Sequence, residues 1–185
     1  MKIPRIALAA FGFALVIVVI DQLTKAWVLD GLGLRFEGQS HPVLDPIFNI
    51  TLVHNEGVSF GLFGDGSARW MLSLFSLAVA GILGWWALKA DRRLLITAIG
   101  FIMGGAIGNV IDRIRFGWVV DFLDFSGPHF FLPSFLPGFL GGAKISFPWV
   151  FNIADSAITI GVVLLILDSL LSERAAKVGL AAEKS

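Results

Sequence analysis

Asn152 and Asp155 stand three residues apart at the head of FNIADSAITIGVVLLIL, residues 151–167, a run otherwise apolar enough to enter a bilayer. A charged side chain near mid-bilayer costs roughly 2.5–3.5 kcal/mol on insertion scales, and less near an interface. An acid in such a place faces protein, has a partner and marks a functional site by default. GNVIDRIRFGWVVDFLDF, residues 108–125, is denser still: Asn109 and Asp112 are i, i+3, and Asn109 and Arg113 are i, i+4. Arg113 either snorkels to lipid headgroups or holds a carboxylate or a substrate carbonyl. Beyond it, Asp121 and Asp124 interrupt an apolar stretch in which Val119, Val120 and Phe122 make a partly dry setting for a carboxylate. Asp21 and Lys25 are spaced i, i+4 with the acid first, the favourable order for a helical ion pair, and read foremost as an anchor of their helix end.

The chemistry open to these groups is that of paired acids. Two carboxylates brought close cannot both ionise easily, so one pKa rises and the pair shares a proton. One member can then take a proton from water while the other polarises a substrate carbonyl. Amide hydrolysis by such a pair needs no metal, thiol or cofactor, and no cofactor is expected. The chain has no Cys, and His41, His54 and His129 lie far apart without the HExxH spacing of a zinc protease. No GxSxG elbow argues for a serine nucleophile. A formal net charge of zero and the lack of a long basic block speak against a nucleic-acid partner.

The elements that must position these residues are membrane helices. Of 185 residues, 56% are hydrophobic and 15% charged, where soluble domains run near ~25% charged. The mean hydropathy of +0.83 agrees. Four segments, about 6–29, 70–88, 94–111 and 149–171, approach the ~20 residues that span a bilayer. Lys2 and Arg5 before the first run resemble a signal peptide, but DQLTKAWVL continues the helical pattern where a cleavage site would fall, so retention as a helix is expected. Lys2 and Arg5, then Lys89, Arg92 and Arg93, then Arg174, Lys177 and Lys184 fall on one side of this topology. Both termini and the tail 173–185 are therefore expected in the cytoplasm, with loops 30–69 and 112–148 outside. Alternation in Phe48–Leu52 and again in Val58–Leu62, around the turn-like NEG, predicts a small hairpin that leans on the bundle. Gly100, Gly104 and Gly108 at four-residue spacing predict a close helix-packing seam. The expected fold is an all-α, four-helix membrane domain with a small β-hairpin subdomain.

DQLTK (residues 21–25), VHNEGVSFGLF (53–63), GGAIGNVIDRIRFGWVVDFLDF (104–125) and FNIADSAITIG (151–161) resemble the lipoprotein signal peptidases, or signal peptidase II. These are four-helix aspartyl proteases of the bacterial inner membrane, and the motifs occur here in the family's order. The resemblance implies that Asp121 and Asp155 are the catalytic pair and that Asp124 is a neighbour, a choice that spacing leaves open. It places Asn55, Gly57, Asn109, Asp112, Arg113 and Asn152 around the site and assigns Asp21 and Lys25 to the helix-one motif. The implied substrate is a diacylglyceryl-modified prolipoprotein, cut on the N-terminal side of its lipidated Cys. Membrane lipids are the other expected partner, and a monomer is the expected state.

The segment 126–148 is longer than the family's usual connection. Its four Pro argue against a regular helix, and an interfacial loop that covers the cleft is expected alongside a tolerated insertion without a role. Two rival readings remain from other classes. Intramembrane Asp, Lys and Arg also mark proton- or ion-coupled carriers, although four spans without an inverted repeat speak against one. A scaffold protein would rest on the Gly seam alone.

Overall fold

The computed structural model describes residues 4–57, 67–127, 129–131, 144–146 and 149–182. The apolar runs form four helices, α1 (Arg5–Ala26), α2 (Ser67–Ala87), α3 (Arg93–Arg115) and α4 (Ile153–Ala182). Each contains a stretch long and apolar enough to cross a membrane, as expected of a multi-pass membrane protein. α1 runs on through Trp27–Gly31 in wider, i→i+5 turns. α3 continues past the expected end at Ile111, which keeps Asp112 and Arg113 on the helix. It stops where the chain reaches Gly117, whose φ of +89° provides a left-handed C-terminal cap.

α3 is the centre of the bundle. Of its most apolar stretch 72% is buried, against 22–28% for the other three helices. Gly100 and Gly104 bring α3 onto α1 beside the Ala10 and Ala14 carbonyls, and Gly108 leaves room for the Asp21 carboxylate. On the other side Gly105 lies against the Ala154 carbonyl and Gly161 of α4 against that of Ala98. Bilayer-embedded helices have little hydrophobic drive to associate, so such close backbone approach does much of the joining. A Cβ on Gly105 would stand 2.3 Å from the Ala154 oxygen. Gly105→Val is therefore expected to destabilise the α3–α4 pair by about 1–3 kcal/mol, read as a lower melting temperature of the purified protein.

Six short strands complete the described residues: β1 (Ser40–Leu44), β2 (Phe48–Asn55), β3 (Val119–Asp124), β4 (His129–Phe131), β5 (Lys144–Ser146) and β6 (Val150–Phe151). β1, β2, β3 and β6 form one antiparallel sheet in that order, while β4 and β5 pair with each other. The hairpin expected from Phe48–Leu52 exists, but its partner is β1 upstream, with Ser40 opposite Thr51. The expected second arm at 58–62 lies outside the described residues. WVVDFLDF, read from sequence as loop, supplies the third strand. Val150 and Phe151 pair with Asp124 and Leu123, so α4 opens at Ile153 and not at Trp149. It also runs through most of the tail that began at 173.

The two faces of the sheet divide its labour. Ile50, Leu52, Val120 and Phe122 bury one face on Val28 and Leu34. Alternation along the strands then sends Asn55 and Asp121 to the opposite face, toward the ends of α3 and α4. The covering segment expected within 126–148 falls largely on residues 132–143, outside the described residues.

Candidate active site

The chain reaches Asp155 through a helix N-terminus. Asn152 precedes α4, and its Oδ1 accepts the Asp155 N–H at 2.9 Å while Asp155 Oδ2 accepts the Asn152 N–H at 3.3 Å. This is a reciprocal capping box, and it accounts for the i, i+3 spacing of the two residues. One further unpaired helix N–H, that of Ala154, is taken by Asp21 Oδ1 of α1 at 3.0 Å. Asp155 is thereby fixed at the positive end of α4 before any chemistry is considered.

Three amides then aim their NH2 groups at two acids, because donors already occupy their oxygens. Asn152 Oδ1 is held by the cap, and its Nδ2 donates to Asp121 Oδ1 at 2.7 Å and to Asn109 Oδ1 at 3.2 Å. Asn109 Oδ1 also accepts from the Lys25 ammonium at 3.3 Å, which turns its Nδ2 to Asp155 Oδ1 at 2.8 Å. Asn55 Oδ1 accepts the Gly57 N–H at 2.8 Å, and its Nδ2 reaches Asp121 Oδ2 at 2.9 Å. Gly57 has a φ of +88°, and a Cβ there would meet Leu72 Cδ1 at 2.3 Å, so this turn requires glycine. Each carboxylate oxygen of Asp121 and Asp155 thus has one protein donor and keeps acceptor capacity for water or substrate.

Beneath the pair lies a buried ion cluster. Lys25 Nζ sits 2.9 Å from Asp21 Oδ2 and 2.7 Å from Asp112 Oδ2, and all three side chains are almost wholly shielded from solvent. Asp112 Oδ2 also accepts the Val120 N–H at 3.1 Å, tying the end of α3 to the strand residue before Asp121. Asp21 and Lys25 therefore do more than anchor a helix end. Lys25 orients Asn109 under Asp155, and through Asp112 it steadies the backbone beside Asp121. Gln22 was not singled out from the sequence. Its Nε2 donates to Asp112 Oδ1 at 2.9 Å and its Oε1 accepts from Arg115, so it completes the cluster. The signal was a third polar residue beside Asp21 in an otherwise apolar helix.

Arg113 stands near Gly57, with Nη2 at 3.7 Å from the position of a Cβ there, and lies within electrostatic reach of Asp155, Asp112 and Asp121. Its buried Nε has no hydrogen-bond partner among the described residues. Asp124 belongs elsewhere. Thr51 Oγ1 donates to it at 2.6 Å, and the Ser126 N–H and hydroxyl hold its other oxygen. Partial burial acts to raise its pKa, but the Ser126 and Thr51 hydrogen bonds outweigh it and hold the carboxyl below the usual range. Burial, reinforced by the negative charge of Asp155, pushes Asp121 up to about 7 despite the opposing Asn55 and Asn152 hydrogen bonds. Among the described residues no group of three His, Asp or Glu side chains is arranged to hold a metal ion.

An amide-framed pair of acids at the head of a membrane helix bundle is the kind of centre that aspartic hydrolases use. Comparison with known proteins narrows the class. Residues 13–171 match the family described as Signal peptidase (SPase) II. The chain is 48% identical over 175 residues to the lipoprotein signal peptidase of Caulobacter vibrioides, covering 94% of this chain and 93% of that protein. It is 40% identical to the lipoprotein signal peptidase of Shewanella loihica, with 89% and 87% covered. A solved bacterial membrane enzyme, determined by the in meso method at 1.9 Å resolution, superposes with a TM-score of 0.67 at 29% identity, covering 87% of this chain and 92% of that one. The chain belongs to the signal peptidase II family, and it is a hydrolase, a peptidase of the aspartic type.

Proposed function

We propose that this protein removes the signal peptide from diacylglyceryl-modified prolipoproteins, cutting on the N-terminal side of the lipidated Cys, with Asp121 and Asp155 as the catalytic pair. The observation that carries the reading is the electrostatic coupling of these two acids, each held by amide donors and each with lone pairs to spare. In the resting site the pair shares one proton. Asp155 accepts a proton from the attacking water, and Asp121 donates its proton to the scissile carbonyl as the tetrahedral centre forms. Collapse of that centre moves a proton to the leaving amine and returns the carboxyl end of the signal peptide. Asn55, Asn109 and Asn152 keep both acids in register, and Arg113 steadies the negative charge of the site.

The same reading places the enzyme in the bacterial inner membrane as a monomer, with both termini cytoplasmic and the pair at the outer surface. The Lys and Arg bias supports that orientation. A lipid anchor contributes about 0.8 kcal/mol per buried CH2, so a lipidated substrate is concentrated in the enzyme's own plane.

The test is purified protein with a diacylglyceryl-modified precursor and its unmodified counterpart, with products identified by mass. Release of an intact signal peptide from the lipidated form alone is expected. If the lipidated precursor stays whole, the peptidase assignment of the pair fails, and proton flux through reconstituted vesicles becomes the measurement to make.

A pH dependence follows from Asp121. Its ordinary value of 3.8 is raised to about 7, so the proton needed on the pair is present at pH values below about 7 and lost above. kcat/KM is expected to fall on the alkaline side with a midpoint near that value. Because the folded pKa exceeds the unfolded one, the folded protein binds the extra proton, and this residue's contribution to stability declines as pH rises from about 4 to about 7. A flat profile across that window would contradict the shared proton.

A further inference from the structure

Asp112 joins the buried ion cluster to the strand that carries Asp121. Its Oδ2 takes the Lys25 ammonium at 2.7 Å and the Val120 N–H at 3.1 Å. A carboxylate has two equivalent oxygens, so a grip on one alone leaves the group free to turn. Oδ1 is held as well, by Gln22 Nε2 at 2.9 Å. With both oxygens engaged and the side chain wholly shielded from solvent, Asp112 has one orientation.

The Gln22 amide can itself lie only one way round. Its Nε2 faces three acceptors, Asp112 Oδ1, Asp21 Oδ2 at 3.2 Å and the Gly108 carbonyl at 3.3 Å. Its Oε1 faces the exposed Arg115, whose Nη1 donates to it at 3.2 Å. Turned over, the amide would set its oxygen against two carboxyl groups and a carbonyl, and its NH2 against a guanidinium. Asn55, Asn109 and Asn152 are fixed by the same means, but those amides touch the acid pair directly. Gln22 acts one residue further back.

We propose that Gln22 is a positioning residue for the acid pair: it holds Asp112 Oδ1, which keeps Asp112 Oδ2 on the Val120 N–H and Asp121 in place opposite Asp155. The inference rests on the peptidase reading above and deepens it. Val120 and Asp121 are adjacent on β3, so a backbone released at Val120 moves the Asp121 carboxyl with it. A misplacement of about 1 Å between reacting groups costs on the order of a hundredfold in rate. A neutral side chain that touches neither acid therefore has leverage on turnover and little on substrate affinity.

Gln22→Met keeps the length of the side chain and donates nothing, and Gln22→Glu keeps a partner for Arg115 but puts an acceptor where the NH2 was. Amide exchange is followed in lipid nanodiscs at Val120 and at Leu52, a reference in the same sheet whose N–H is held by the Gln39 carbonyl at 2.8 Å. In both variants exchange at Val120 is expected to quicken about tenfold or more relative to Leu52. kcat per folded protein on a diacylglyceryl-modified precursor is expected to fall about tenfold or more, with KM within about twofold of wild type. Val120 and Leu52 quickening together would make Gln22 a general stabiliser and overturn the proposal. So would wild-type turnover in both variants, or a loss of turnover with Val120 still protected. If wild type itself leaves the precursor whole, the peptidase reading fails and the inference falls with it. Each of the other outcomes leaves that reading standing.

Discussion

Asp121→Asn and Asp155→Asn are each expected to lower kcat on a lipidated precursor by at least about a thousandfold, whereas Asp124→Asn stays within a few-fold of wild type. On the proposed mechanism the first pair removes, respectively, the proton donor and the proton acceptor of one step, so neither survivor can do both tasks. Asp124 is a strong contrast because it lies only three residues from Asp121 yet is occupied by Thr51 and Ser126 at the end of β3. Stability separates catalysis from misfolding here. Asp121→Asn deletes a carboxyl whose ionisation burial opposes, so at pH above about 7 its melting temperature is expected to equal or exceed that of wild type. A variant that is inactive and well folded supports the pair, and full activity in either Asn variant would remove it.

That contrast marks where the sequence was informative. Helix periodicity and length are local properties, so four membrane helices and a glycine seam could be read directly, and the spacing of Asn152 and Asp155 pointed to a shared face. The capping box shows why that spacing exists even without catalysis. β3 was not legible because a short strand declares itself through its neighbours. Val119–Asp124 pairs with a segment more than sixty residues upstream, and nothing in WVVDFLDF names that partner. For the same reason β1 was missed as the partner of β2. Spacing alone also left Asp121 and Asp124 open, and the structure separates them by strand alternation and by the hydroxyls around Asp124. The second role of Lys25 was equally hidden, since Asp21 four residues away is a sufficient partner on the helix, whereas Asp112 and Asn109 arrive from α3.

Lys25→Met is expected to be more destabilising than the packing change Gly105→Val. The ammonium is 2% exposed, and the Asp21 and Asp112 side chains it joins are both at 0%. Removing one partner of a buried ion pair costs about 3–5 kcal/mol, because the survivor is left charged and dry. Here two carboxylates survive. Met matches the length and volume of the stem, so the loss is one of charge and hydrogen bonds rather than packing. The folded fraction that remains should also be slow, since Asn109 loses the donor that turns its NH2 toward Asp155. A second substitution distinguishes charge from shape. Asp112→Asn in the Lys25→Met background removes one stranded charge while its carbonyl can still accept the Val120 N–H. The double variant is therefore expected to melt above Lys25→Met alone, a positive coupling in the cycle, and to remain impaired in kcat because Asn109 is still unanchored. If Lys25→Met melts with wild type, the contacts of Lys25 with Asp21 and Asp112 do not hold the helices together, and the orientation of Asn109 needs another cause.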